Sequence, residues 1–149
     1  MTAAAWSLLG VLAGALLALQ APINAQLGRG LGLPIAAAAV SFVAGAVFLS
    51  LATLAFARME GAAIDWRAPS PWLFAAGGLL GGTYVTIAVL LVPRIGAAAL
   101  MAFLIAGQLV AGILLDRLGF LDLAVREITL GRVAGAVLLL AGALLIRLT

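Results

Sequence analysis

The sequence predicts an all-α membrane protein, a bundle of about five transmembrane helices. Hydrophobic residues make up 66% of the 149 residues and charged residues only 9%, whereas soluble domains are about 45–50% apolar and about 25% charged. Five apolar runs are each long enough to cross a hydrocarbon core about 30 Å thick. The eight basic residues are all arginines that stand singly near the ends of these runs, as expected at membrane boundaries.

Each apolar run is bounded by Arg, Asp, Glu, Pro or Trp, and together the runs form a single transmembrane domain over residues 1–149. The predicted spans are residues 4–27, 34–57, 71–92, 95–115 and 129–146. Pro34 and Pro71 are predicted to open the second and third helices, because proline is well tolerated in the first turn of a helix. The segment around Pro93 is predicted to form a tight turn between the third and fourth helices.

The composition excludes several functional classes. The chain has no His, Lys or Cys, which removes most metal ligands and the commonest acid–base groups. We therefore expect no metal, no cofactor and no enzymatic activity, since Ser and Thr lack a residue that would activate them as nucleophiles. The net charge is only +3, and no cluster of four or more basic residues offers a nucleic-acid surface.

The charge pattern favours neither orientation in the membrane strongly. With five helices, the termini lie on opposite sides of the bilayer. The side of the N-terminus carries five arginines, namely Arg58, Arg67, Arg117, Arg126 and Arg132, and the opposite side carries Arg29, Arg94 and Arg147. This weak bias favours a cytoplasmic N-terminus and allows insertion both ways round.

The arrangement of helices indicates a partner. Helices one and two faintly resemble helices three and four in the same orientation, so the chain contains no inverted repeat. Many secondary transporters rely on such a repeat. If the chain transports, the inverted half is another chain, and we predict an antiparallel dimer with a second copy or a close paralogue.

Four of the polar side chains inside the predicted spans could bind a small-molecule substrate. Gln20 and Asn24 are four residues apart and share one face of the first helix, with the helix-disrupting Pro22 between them. Tyr84 and Gln108 lie near the middle of the third and fourth helices. The alternative is that these groups only hold helices together, although such bonds average only about 0.6 kcal/mol in membranes.

Asp116 is the acid closest to a span, and two hypotheses apply to it. Next to Arg117 at the end of the fourth helix, it is predicted to anchor the chain at the lipid headgroups. Alternatively, it couples transport to a proton or another cation.

Small and hydroxylated residues are expected to serve packing. A glycine ridge on the fifth helix is predicted to pack the dimer; it consists of Gly131, Gly135 and Gly142. Ser41, Thr83 and Thr86 are predicted to be structural, because such hydroxyls can bond to a carbonyl in the preceding helical turn.

Several segments together identify a family. They are LQAPINAQLG at residues 19–28, LGLP at 31–34, VPRIG at 92–96, AGQL at 106–109 and LDRLG at 115–119. Over its whole length the chain resembles the DUF606 (YdcZ-like) family of small bacterial membrane proteins, a branch of the drug/metabolite transporter superfamily. The resemblance implies an inner-membrane location, transporter-like helix packing and two inverted subunits. The related small multidrug exporters use a glutamate in their first helix, which this chain lacks, so that mechanism does not carry over.

The predicted function is a transporter half-unit that works as an inverted homodimer. It would move a small metabolite or organic solute across the membrane by alternating access. The alternative is a scaffold that transports nothing and stabilises another membrane protein. Under that alternative, substitutions at Gln20, Asn24 or Gln108 would cost stability rather than transport.

Overall fold

The computed structural model of the protein describes residues 2–148, and five long helices account for most of that range. These helices are α1 (Ala3–Leu31), α2 (Pro34–Glu60), α3 (Leu73–Ile95), α4 (Ala97–Leu118) and α5 (Leu130–Leu148). A single 3₁₀ turn, Phe120–Asp122, follows α4. All five helices are long and apolar enough to cross a membrane, which confirms the predicted all-helical fold.

The chain divides into two compact units. The first unit, Met1–Pro93, contains α1, α2 and all but the last two residues of α3, and the second unit, Arg94–Thr149, contains those two residues with α4 and α5. Within the first unit α1 packs directly on α2, and within the second unit α4 packs directly on α5.

The helices expose most of their apolar surface. In each helix, no more than 22% of the most apolar 18-residue stretch is buried. Trp6, Trp66 and Trp72 are all exposed. In water, a contiguous apolar surface of this extent would cause aggregation, whereas in a membrane it lies against lipid tails at no cost. The exposed surface therefore fits a chain whose helices are surrounded by lipid.

Small residues allow α1 and α2 to approach closely. Gly32 ends α1 with a φ of 71°, and its N–H donates a hydrogen bond to the carbonyl of Arg29. Pro34 is the first residue of α2, as predicted. A Cβ added to Gly28 would lie 3.2 Å from the Cα of Pro34, so the start of α2 rests almost directly on the backbone of α1.

The structure differs from the sequence prediction at both ends of α3. The helix begins at Leu73, two residues after Pro71, and it continues through Pro93 to Ile95. The predicted turn around Pro93 is therefore wrong, because a single proline removes one backbone hydrogen bond and can bend a helix without ending it. Gly96 alone separates α3 from α4; its φ of 81° and ψ of 161° lie in a region open essentially to glycine only.

We expect Gly28→Ala to lower the melting temperature of the protein in detergent micelles, measured by circular dichroism. The added methyl group meets rigid backbone at Pro34, and overpacking of this kind costs about 1–3 kcal/mol. Gly30→Ala is the matched control, because no atom lies within 4 Å of its Cβ position and alanine favours the helix. Equal melting temperatures for the two variants would contradict the close approach of α1 and α2.

Candidate functional site

Asn24 is the most deeply placed polar side chain of the first unit. It is 4% exposed and is the only buried polar residue among residues 2–148. Its neighbours along α1 are small and buried as well, namely Ala21, Ala25 and Gly28. Asn24 lies seven residues from the middle of the 29-residue helix, or about 10 Å along its axis, and a hydrocarbon layer about 30 Å thick centred on α1 encloses it.

One hydrogen bond connects Asn24 to the neighbouring helix. Its Nδ2 atom donates to the Oγ of Ser41 on α2 over 3.3 Å. The hydroxyl oxygen of Ser41 thus bonds across helices, because the close packing of α1 and α2 brings the Asn24 amide within reach. Thr83 and Thr86 bond within their own helix, since each donates to the carbonyl four residues earlier over 2.8 Å.

The Asn24 amide has capacity for further hydrogen bonds. A side-chain amide offers two donor hydrogens and an acceptor oxygen with two lone pairs. Within the described residues, the donation to Ser41 is the one hydrogen bond that the side chain of Asn24 makes. No fully buried side-chain N or O atom there lacks a partner. The unused oxygen of Asn24 therefore keeps some accessible surface.

Three of the four predicted substrate-binding residues belong to the first unit. Gln20 is half-buried one turn before Asn24 on the same face of α1. Tyr84 is half-buried on α3 and packs against a small core formed by Ala38, Val85 and Val89. Gln108 lies on α4 in the second unit, where its side chain is exposed.

A cleft of about 520 Å³ lies between α2 and α3. Its walls include Ala38 and Phe42 from α2, and Gly78, Gly82, Thr83 and Thr86 from α3. Ser41 and Phe42 are consecutive on α2, so their side chains point about 100° apart. Ser41 bonds to α1, while the ring of Phe42 lies against Gly81 of α3. Sequence reasoning missed this cleft, although the paired glycines of α3 were the available signal.

The second unit has an ion pair that the sequence prediction also missed. Arg132 Nη2 in the first turn of α5 donates to Asp116 Oδ2 in the last turn of α4. The backbone carbonyl of Asp116 also accepts a hydrogen bond of 3.0 Å from the N–H of Arg126. Both charged side chains are 29% exposed. The partner of Asp116 is thus Arg132 rather than its neighbour Arg117.

The helix dipoles explain why this pair forms. The C-terminus of a helix carries partial negative charge and the N-terminus partial positive charge. Asp116 near the end of α4 and Arg132 near the start of α5 each repel their own helix terminus, and pairing offsets both repulsions. The sequence did contain a signal for this pair: an acid at the C-terminus of α4 and a base at the N-terminus of α5 are each unfavourable with their own helix dipole.

The glycines predicted to pack the dimer have open space beside them. No atom lies within 4 Å of the Cβ position of Gly131, Gly135 or Gly142. The alanines that follow the last two, Ala136 and Ala143, are buried. Among residues 2–148, no three His, Cys, Asp or Glu side chains lie close enough to hold a metal ion.

Comparison with known proteins identifies one family. A family model described as "Putative inner membrane exporter, YdcZ" matches residues 5–145, which is nearly the whole chain. No curated protein and no solved structure matches the sequence.

We expect Asp116→Asn to lower the free energy of unfolding in micelles by about 1 kcal/mol, the upper end of the range for exposed ion pairs. Asp122→Asn is the matched control: Asp122 is exposed with a φ of 63°, which asparagine tolerates. The charge reversal Asp116→Arg with Arg132→Asp should restore stability, because each new charge also suits its helix terminus. A reversed protein less stable than Asp116→Asn would contradict the pairing.

Proposed function

The chain belongs to the YdcZ family of inner membrane proteins, and we propose that it is one subunit of an exporter that works as an inverted homodimer. The protein is a multi-pass protein of the inner membrane, with five helices that can span it. The proposed dimer moves a small solute outward by alternating access. One observation carries the proposal beyond the family match: a buried asparagine with unused hydrogen-bonding capacity lies within an otherwise apolar span.

Energetics favour a binding role for Asn24. A helix-to-helix hydrogen bond in a membrane contributes about 0.6 kcal/mol on average, while an amide in hydrocarbon carries a substantial desolvation cost. Alanine at residue 24 would avoid that cost and preserve the small-residue packing of α1. Binding of a solute to the unused end of the amide would explain why residue 24 is an asparagine. Gln20 and Tyr84 offer further polar contacts in the same unit.

Gln108 and Asp116 are the remaining candidates from the sequence, and the structure favours different roles for them. Gln108 is exposed on α4, and an amide on the outside of a membrane helix is costly unless a partner or a solute covers it. For Asp116, the pairing with Arg132 favours a structural role over ion coupling. Flux through Asp116→Asn in liposomes separates these two roles, since a coupling residue is required for concentrative transport even in a stable variant.

The inverted dimer is supported by three features of the chain. An odd number of spans places the termini on opposite sides, the eight arginines divide five to three between the two sides, and the chain contains no inverted repeat of its own. Two copies inserted in opposite orientations supply the symmetry that transporters usually carry within one chain. The open faces beside Gly131, Gly135 and Gly142 offer a surface for close helix packing between the copies.

A scaffold that transports nothing is the second candidate, and the bond between Asn24 and Ser41 favours it. If that bond is the whole purpose of Asn24, then removing either partner has the same effect. If Asn24 binds a solute, removing Ser41 costs far less than removing Asn24.

The first experiment measures solute flux in liposomes that contain purified protein, with a panel of polar metabolites, organic cations and neutral apolar solutes. We expect Asn24→Ala to reduce flux about tenfold or more, the equivalent of about 1.4 kcal/mol, in dimers that remain intact. Gln26→Ala is the matched control, because Gln26 is an exposed amide of the same helix that bonds only to Arg29. Ser41→Ala should keep at least half of the flux.

Absence of flux for every solute in the panel would contradict the exporter. Equal loss of flux in Ser41→Ala and Asn24→Ala, or dissociation of the Asn24 variant into monomers, would contradict the binding role of Asn24 and identify its amide as a contact between helices.

The second experiment maps topology with single cysteines, since the native chain has none. Ala62→Cys, in the exposed segment after α2, and Leu33→Cys, between α1 and α2, lie on opposite sides of the membrane. We expect a membrane-impermeant maleimide to label about half of the copies of each variant in spheroplasts, because the arginine bias is weak. Complete labelling of one variant with none of the other would rule out mixed orientations.

A further inference from the structure

The cleft between α2 and α3 has the size of a ligand site. Its volume of about 520 Å³ falls within the roughly 300–1,000 Å³ that small-molecule sites occupy. No charged side chain contributes to its walls. A charged solute would therefore lose its hydration there without an opposite charge to compensate it, so the cleft discriminates against ions.

The polar capacity of the cleft is limited to hydrogen-bond acceptors. Thr83 and Thr86 supply the hydroxyl groups of its walls, and each hydroxyl hydrogen is already donated to a carbonyl of α3 over 2.8 Å. The oxygen lone pairs remain available. A ligand group that donates a hydrogen bond is therefore satisfied in the cleft, whereas a ligand group that only accepts is not.

An aromatic ring forms part of the wall. A Cβ added to Gly81 would lie 2.9 Å from the Cζ of Phe42, so the ring edge of Phe42 rests on the backbone of α3. Phe42 also lines the cleft, so its ring offers an aromatic surface to a flat apolar body. A smaller cleft of about 290 Å³ between α4 and α5 is lined by aliphatic side chains, such as Ile113 and Val137, and offers neither a ring nor a hydroxyl.

The cleft opens sideways from the helix pair. Leu79 and Ile87 line it and are 70% and 46% exposed. Because both residues lie within a membrane-spanning helix, a solute dissolved in the hydrocarbon layer can enter without passing through water. Solutes that partition into lipid are thereby concentrated at the opening.

We propose that the cleft between α2 and α3 binds an uncharged, mainly apolar solute that carries a hydrogen-bond donor such as a hydroxyl group. This site lies outside the four residues assigned above, and its role in transport rests on the proposed exporter function. Ser41 and Phe42, adjacent on α2, place the cleft next to the Asn24 contact.

The test uses three pyrene probes that share one aromatic body, with protein in nanodiscs and empty nanodiscs as the background. Pyrenemethanol carries a donor, methylpyrene carries none, and pyrenylmethyl-trimethylammonium carries a positive charge. We expect saturable binding of pyrenemethanol, binding of methylpyrene weaker by about tenfold, as the loss of about one hydrogen bond implies, and no saturable binding of the cation.

Two variants connect the binding to this cleft. Thr83→Val with Thr86→Val should remove the preference for pyrenemethanol and leave methylpyrene binding unchanged, which shows that the fold is intact. Gly78→Leu should fill the cleft and abolish binding of both neutral probes. Gly77→Leu is its control, since Gly77 is outside the cleft walls and has no atom within 4 Å of its Cβ position.

Equal binding of the two neutral probes, saturable binding of the cation, or full binding by Gly78→Leu would overturn the proposal. A failure of the proposed export function would give a different set of results. Saturable pyrenemethanol binding without flux of any solute keeps the site and rejects transport, while flux of a charged solute without pyrene binding keeps transport and rejects this site.

Discussion

The close approach of α1 and α2 is the contact on which the candidate site depends. Lipid tails are as apolar as leucine, so helices in a membrane associate through tight packing and hydrogen bonds. Here Gly28 lets the start of α2 rest on the backbone of α1, with 3.2 Å between the Cα of Pro34 and the Cβ position of Gly28. At this separation the short side chains of Asn24 and Ser41 reach each other. Larger residues at these positions would separate the helices and break the contact.

The polar groups inside the membrane-spanning helices are few, and the structure shows how they are accommodated. Several are held by a local partner, because an unpaired polar group in hydrocarbon is costly. Thr83 and Thr86 use their own helix, and Asp116 uses Arg132 across the loop between α4 and α5. Asn24 keeps part of its capacity free within an apolar span. That excess is what a binding residue needs and what a purely structural contact does not.

Sequence patterns predicted the helices well, but they did not predict the hydrogen-bond and ion-pair partners of the polar side chains. Apolar run length and single arginines identified all five helices, and spacing placed Gln20 and Asn24 on one face. The partners of Asn24 and Asp116 lie 17 and 16 residues away, and such pairings depend on which helix faces meet, which a periodic pattern does not encode. The cleft was missed as well, since the paired glycines of α3 indicate close or open packing but not which helix faces them. The prediction of a turn around Pro93 was wrong, because a helix can continue through one proline. The non-helical backbone conformation of Gly96 ends α3 instead.

The measurement that tests the account most directly is solute flux from two versions of the chain locked in opposite orientations. Ala62→Arg with Ala68→Arg adds charge on the side of the N-terminus, and Gly30→Arg with Leu33→Arg adds it on the other side, so each version inserts one way. The inverted dimer predicts that neither version exports alone and that co-expression restores export. Full export by a single locked version would contradict the inverted pair.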